Sequence, residues 1–158
     1  MCHNITNLTL KIGLADQSLP LEQWGCTDYK ILDEKERNYQ FKTPSGTWWC
    51  DSSSGSSYKV SSKWQGEAWY RFVPPAGTRI AGELDTGYKY CGTRATGGMR
   101  GSHPSIPGET VTRTMCFHEH SNTCYSPYSK DIQVRNCGQF FLYKLVGVYG
   151  CHLGYCAR

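Results

Sequence analysis

Residues 109–137, ETVTRTMCFHEHSNTCYSPYSKDIQVRNC, decide the fold. Glu109–Phe117 and Ile132–Cys137 each alternate apolar and polar side chains, the period of a strand with one face buried. The residues between them are polar and carry Pro127 in place of any helical repeat. Cys116, Cys124 and Cys137 punctuate the stretch. Two strands joined by a cysteine-bounded connection predict a β architecture.

Reading outward gives more of the same. Gln139–Val148, QFFLYKLVGV, is the most apolar run, and its length favours a buried strand over a helix. Upstream, Glu67–Val73 combines aromatic and β-branched residues and ends at Pro74-Pro75, so it also reads as a strand. Thr78–Leu84 and Tyr88–Thr93 are further strand candidates. Gly97–Gly108 and the Ser/Gly-rich Asp51–Ser62 read as surface loops. A short helical turn is expected around Asp33–Asn38. The fold class is therefore a small, disulfide-rich, mainly β domain, with α+β left open, built of antiparallel strands and one or two short helices.

The chain has 158 residues, enough for one domain at 26–158 and an N-terminal extension, or the tail of a preceding module, at 1–25. Apolar residues make up only 39%, but five tryptophans and eleven tyrosines supply large buried area per residue. Cysteine makes up the deficit. Besides Cys2 there are Cys26, Cys50, Cys91, Cys116, Cys124, Cys137, Cys151 and Cys156. Each disulfide adds roughly 2–4 kcal/mol, against a net domain stability of about 5–15 kcal/mol. Such bonds persist in oxidising compartments, so an extracellular domain, secreted or membrane-anchored, is expected. Asn4-Ile5-Thr6 and Asn7-Leu8-Thr9 are adjacent glycosylation sequons and agree with that. The N-terminus lacks the pattern of a signal peptide, and no run spans a bilayer, so the chain is expected to be part of a longer extracellular protein. Cys2 falls outside the eight and is expected to pair with a missing partner or through an intermolecular disulfide.

Net charge is +4, with eight Lys/Arg against three Asp/Glu from Thr86 onward, but the cations are dispersed and form no nucleic-acid tract. No nucleophile elbow, phosphate loop or dinucleotide fingerprint is present, so no catalytic residue or cofactor is assigned. One metal pattern competes. His118 and His120 would share a face of a strand and, with His103, His152 or a carboxylate, would suit a zinc-dependent enzyme. Against it, the pattern is only three residues long and Cys116 is better used in a disulfide. Trp69 and Arg71 form a candidate binding surface, since Trp and Arg are frequent hot-spot residues and sugars stack on aromatic faces. On a strand they point away from Tyr70 and Phe72, and at least one of these pairs should be core.

An ordered series of motifs carries a family resemblance. It runs through Cys26, Tyr29-Lys30-Ile31-Leu32-Asp33, Cys50-Asp51, Trp69-Tyr70-Arg71-Phe72, Cys91-Gly92-Thr93 and Gly101-Ser102-His103-Pro104. It continues through Cys116-Phe117-His118, Val134-Arg135-Asn136-Cys137-Gly138, Phe141-Leu142-Tyr143 and Cys151-His152-Leu153-Gly154-Tyr155-Cys156. From Cys26 to Cys156 the chain resembles the eight-cysteine domain of the uromodulin and pancreatic zymogen-granule glycoprotein family, also found in mosaic proteins with von Willebrand D and EGF modules. Eight cysteines alone allow 105 pairings. The resemblance implies Cys26–Cys137, Cys50–Cys151, Cys91–Cys156 and Cys116–Cys124, with Asp85 and Thr123 standing where some members have a fifth bridge. It also implies a non-enzymatic extracellular module with a protein or glycan partner. Relatives present glycans to microbial adhesins as decoys. Here Lys144-Leu145-Val146 and Arg100-Gly101-Ser102 lack the asparagines for that role, leaving Asn4 and Asn7.

Overall fold

The computed structural model describes residues 21–52, 59–150 and 152–158. Nine strands form: β1 Lys30–Leu32, β2 Trp49–Cys50, β3 Lys59–Val60, β4 Ala68–Phe72, β5 Ala95–Met99, β6 Thr110–His118, β7 Lys130–Asn136, β8 Phe141–Leu145 and β9 Leu153–Tyr155. Short 3-10 turns occupy Lys35–Arg37 and Ser126–Tyr128. Seven strands make one sheet in the order β1-β4-β8-β7-β6-β5-β9, and β2 pairs with β3 separately. The centre of the sheet is antiparallel, as expected, but both edges are not: β1 runs parallel to β4 and β9 parallel to β5.

Period-two patterning explains the layers. Along β7, Ile132, Val134 and Asn136 are buried while Asp131 and Gln133 are exposed. The buried side chains of β4, β6, β7 and β8 meet in the main core, where Tyr70, Phe72, Met115, Phe117, Val134, Tyr143 and Leu145 pack with Tyr155 of β9. Behind the sheet lies a smaller cluster of Cys26, Cys137 and Leu142, covered by Trp24, Tyr29, Trp69 and Phe140. The turn preceding Cys26 belongs to this packed body: the Cys26 amide donates to Leu21 O at 2.9 Å, and Arg135 Nη1 donates to Gly25 O at 2.7 Å.

Three expectations need correction. The stretch Gly97–Gly108 is not wholly a loop, because Ala95–Met99 is a fully buried strand between β6 and β9. Its glycines are needed for close approach: a Cβ on Gly97 would lie 2.6 Å from the Phe117 ring, and one on Gly98 2.5 Å from Gly82 O. Thr78–Leu84 and Tyr88–Thr93 make only isolated bridges, Ile80 to Ala157, Gly82 to Met99 and Lys42 to Tyr90. Positive φ at Lys89, Cys91 and Gly92 turns the second stretch out of the extended region.

The third correction concerns Asp51, which starts the expected surface loop yet is completely buried. Its amide donates to Leu153 O at 3.1 Å, and its carboxylate accepts the Tyr155 amide at 2.9 Å, so one residue completes the outer edge of β9. Buried Arg37 neutralises it through a two-pronged pair, Nη1–Oδ2 at 2.8 Å and Nη2–Oδ1 at 2.7 Å. The other guanidinium hydrogens go to Glu34, Ser61 Oγ and Tyr155 O, which satisfies all five donors. Burial opposes the Arg37 charge, but Asp51 and Glu34 outweigh it and hold the group protonated.

Candidate functional site

Cysteine chemistry comes first because it removes the most candidates. Disulfides join Cys26–Cys137, Cys91–Cys156 and Cys116–Cys124, across sequence separations of 111, 65 and 8. Cys50 is disulfide-bonded as well. Its expected partner, Cys151, lies outside the described residues, as do Cys2, Asn4 and Asn7. The first bridge ties the segment before β1 to the end of β7, and the second joins the Tyr88–Gly92 turn to the residue after β9.

Trp69 and Arg71 do point together, away from Tyr70 and Phe72, which are buried. Both are engaged within the molecule. The Arg71 guanidinium lies 4.0 Å above the Phe140 ring and donates to Tyr29 Oη at 3.3 Å. Trp69 lies under the Arg135 guanidinium at 4.3 Å, and Arg135 in turn bonds Thr110 Oγ1 at 3.0 Å. The back face of the sheet is thus an interlocked set of arginines on aromatic rings. Its exposed rim rather than a free Trp69 face is what a partner would meet.

His118 and His120 do not share a face. The strand ends at His118 and the backbone turns left-handed at His120, φ 50°. His120 is 71% exposed, stacks on Tyr88 and sits 3.2 Å from Glu119 Oε1. Glu119 is paired with Arg94 at 2.9 Å, and on its other side His152 lies 3.6 Å away. Burial, with Arg94 adding to it, holds His152 below the ordinary histidine pKa. Among the described residues, the His/Cys/Asp/Glu set with converging ligand atoms is Glu83, Cys116 and Cys124, and its sulfurs are joined in a disulfide.

Two clefts remain. One, of about 380 Å³, lies beside Trp49 and is lined by Glu34, Glu36, Phe41 and Ser61. The other, of about 480 Å³, opens between Arg79, Asp85, Ser102, His103 and Arg158. His103 at its wall stacks on Phe141 at 4.5 Å and shares a 2.8 Å hydrogen bond with Tyr143 Oη. The Tyr143 oxygen already accepts the Ile80 amide at 3.0 Å. The direction of its bond to His103 Nε2 follows the imidazole tautomer, because a phenol oxygen can accept a second hydrogen bond as well as donate its own proton. Burial, followed by the charges of Arg79, Arg113 and Arg158, pushes the His103 pKa down to about 4. The sequence offered no pairing of residues 103 and 143; only the Gly101-Ser102-His103-Pro104 motif marked the loop. Another marked residue, Asn136, explains itself: its Nδ2 donates to Pro104 O at 2.9 Å and its Oδ1 accepts the Gly138 amide at 2.7 Å, locking that loop to the end of β7.

These features define a disulfide-stapled, mainly β module whose cysteines are structural. The family profile of the uromodulin-like eight-cysteine domain matches residues 70–157, and the chain belongs to that family. Uromodulin of Mus musculus is 36% identical over 132 residues, covering 83% of this chain and 18% of that protein. Rattus norvegicus uromodulin is 36% identical over 110 residues, covering 69% and 16%. The pancreatic secretory granule membrane major glycoprotein GP2 of Canis lupus familiaris is 32% identical over 132 residues, covering 83% and 23%. The chain thus spans less than a quarter of the length of each of these relatives.

Proposed function

We propose that the chain is a non-enzymatic extracellular interaction module of a larger secreted or membrane-anchored glycoprotein. The observation that carries the reading is the fate of its reactive groups. The described cysteines close disulfides, Glu119 is held by Arg94, and the Trp69–Arg135 and Arg71–Phe140 pairs brace the sheet. What remains is a rigid body with polar clefts and loops, the architecture of a binding module. The name of one relative, a secretory granule membrane glycoprotein, supports the compartment. Among the described residues no helix is long and apolar enough to cross a membrane.

The test is to display the oxidised protein against arrays of extracellular proteins and glycans and to follow bound ligands by mass spectrometry. Saturable binding with the ligand recovered unchanged is expected. Turnover of the ligand would sink the reading. A second reading, a glycan-presenting decoy, rests on the tandem sequons at Asn4 and Asn7. Adhesin binding that survives N-glycan removal, or is absent, would eliminate it.

A further inference from the structure

We propose that the cleft between Arg79, His103 and Arg158 binds the sulfate or carboxylate group of an acidic extracellular glycan. The inference rests on the reading of the domain as an extracellular interaction module and gives that module a ligand class.

The cleft carries more cationic than anionic side chains. Arg79 is exposed and acts on Asp85 through its charge, with no hydrogen bond or close ion pair from its guanidinium among the described residues. Arg158 bonds Asp85 through Nη1 at 2.8 Å and keeps 40% of its side chain in solvent. Arg113 packs against Gly101 and braces the loop by donating from Nε to Ser102 O at 2.8 Å. His103 adds a neutral imidazole to the wall, its Nε2 held by the Tyr143 hydroxyl. Asp85, the lining carboxylate, accepts the Gly82 amide at 2.6 Å and Arg158 Nη1 at 2.8 Å, both on Oδ2. Neighbouring Glu83 is paired with Arg100 at 2.8 Å. Two guanidiniums, Arg79 and Arg158, therefore line the cleft against one carboxylate, with the Arg113 charge behind the Ser102 loop, and a concave site concentrates such a field. Arginine forks match the oxygens of a planar carboxylate or a tetrahedral oxyanion.

The lining also selects against a peptide. Its apolar members, Ile80 and Met99, are 1% and 2% exposed, so they offer no pocket for an anchoring side chain. Peptide and protein interfaces of the hydrophobically anchored kind depend on such pockets. A polar sugar acid does not.

The experiment titrates the oxidised protein, followed by amide NMR and calorimetry, with a heparin-derived sulfated tetrasaccharide, sialyllactose, lactose and a Glu-rich peptide. Saturable binding of the sulfated or the sialylated ligand is expected, weakening with added salt and perturbing the amides of Arg79, Ser102 and His103. Whichever of the two binds more tightly identifies the oxyanion. Arg79→Glu should weaken binding about tenfold or more, while Lys63→Glu, the same charge change on a distant surface, should leave it intact. Equal losses in the two variants would show diffuse attraction and overturn the site. So would binding of lactose at the same affinity, tighter binding of the acidic peptide, or no binding at all. Disulfide mapping and ligand-array binding read the module itself, so a failure confined to oxyanions overturns this inference and leaves the parent reading standing.

Discussion

Arg37 shows how much of this fold rests on one side chain. Buried beneath Trp49 at 4.3 Å, it joins the Lys35–Arg37 turn to Asp51, Ser61 and β9. Removing one partner of such a pair strands the other charge in the core. Arg37→Met should therefore lower unfolding stability by roughly 3–5 kcal/mol in urea titrations, and Arg37→Lys should recover little because an ammonium lacks the five-donor fork. Wild-type stability in Arg37→Met would refute the role. Gly98 makes a second residue-scale prediction. Alanine there would press its methyl against Gly82 O from a fully buried strand, costing about 1–3 kcal/mol or more in the same titration. Neither Arg37 nor Gly98 stood out along the chain, and the burial of Arg37's partner Asp51 did not either. Asp51 opens a Ser/Gly-rich stretch and Gly98 sits in one, and composition says nothing of which backbone will come within 3 Å.

At the scale of elements, patterning works where a strand has one wet face. β4 and β8 fall within the stretches that alternation and aromatic content marked, and β6 and β7 overlap theirs, β6 running on to His118 and β7 starting two residues early at Lys130. β5 escapes because it is buried on both faces and built of Ala, Thr, Gly and Met, so it has neither alternation nor bulk. β9 is short, and Asp51 from another part of the chain completes its edge. The disulfides differ in what they constrain. Chain entropy assigns about 5 kcal/mol to a loop the length of Cys26–Cys137 and about 2.5 kcal/mol to one the length of Cys116–Cys124. Paired Cys→Ser replacements should reproduce that order in denaturation midpoints. A larger loss from the short Cys116–Cys124 loop would show that the long bridge is not the main constraint.

For the whole molecule, acid should be destabilising above the range where carboxylates titrate. His103 stays neutral in the folded state down to about pH 4, whereas its ordinary pKa is 6.5. Between those values the unfolded chain binds the extra proton, so stability falls as the pH drops through that window. His152 shifts in the same direction and adds to the slope. Thermal melts from pH 7 to 4 should show the decline, and His103→Gln should flatten it; an unchanged slope would exclude His103 as a source. Non-reducing peptide mapping is expected to find a Cys50–Cys151 bridge beside the three described. A different partner for Cys50 would break the proposed framework.

Residue content alone determined the compartment class, the β character and the family, because cysteine number, strand periodicity and ordered motifs are properties of neighbouring positions along the chain. Tertiary structure decided what those residues do. It set Asp51 in the core and parted His118 from His120 by one left-handed residue. It closed arginines over Trp69 and Phe140, and it left Arg79 and His103 facing an open cleft. Each outcome depends on which segments, tens of residues apart, approach within hydrogen-bonding distance. That is fixed by the packing of the whole sheet, and no local pattern encodes it.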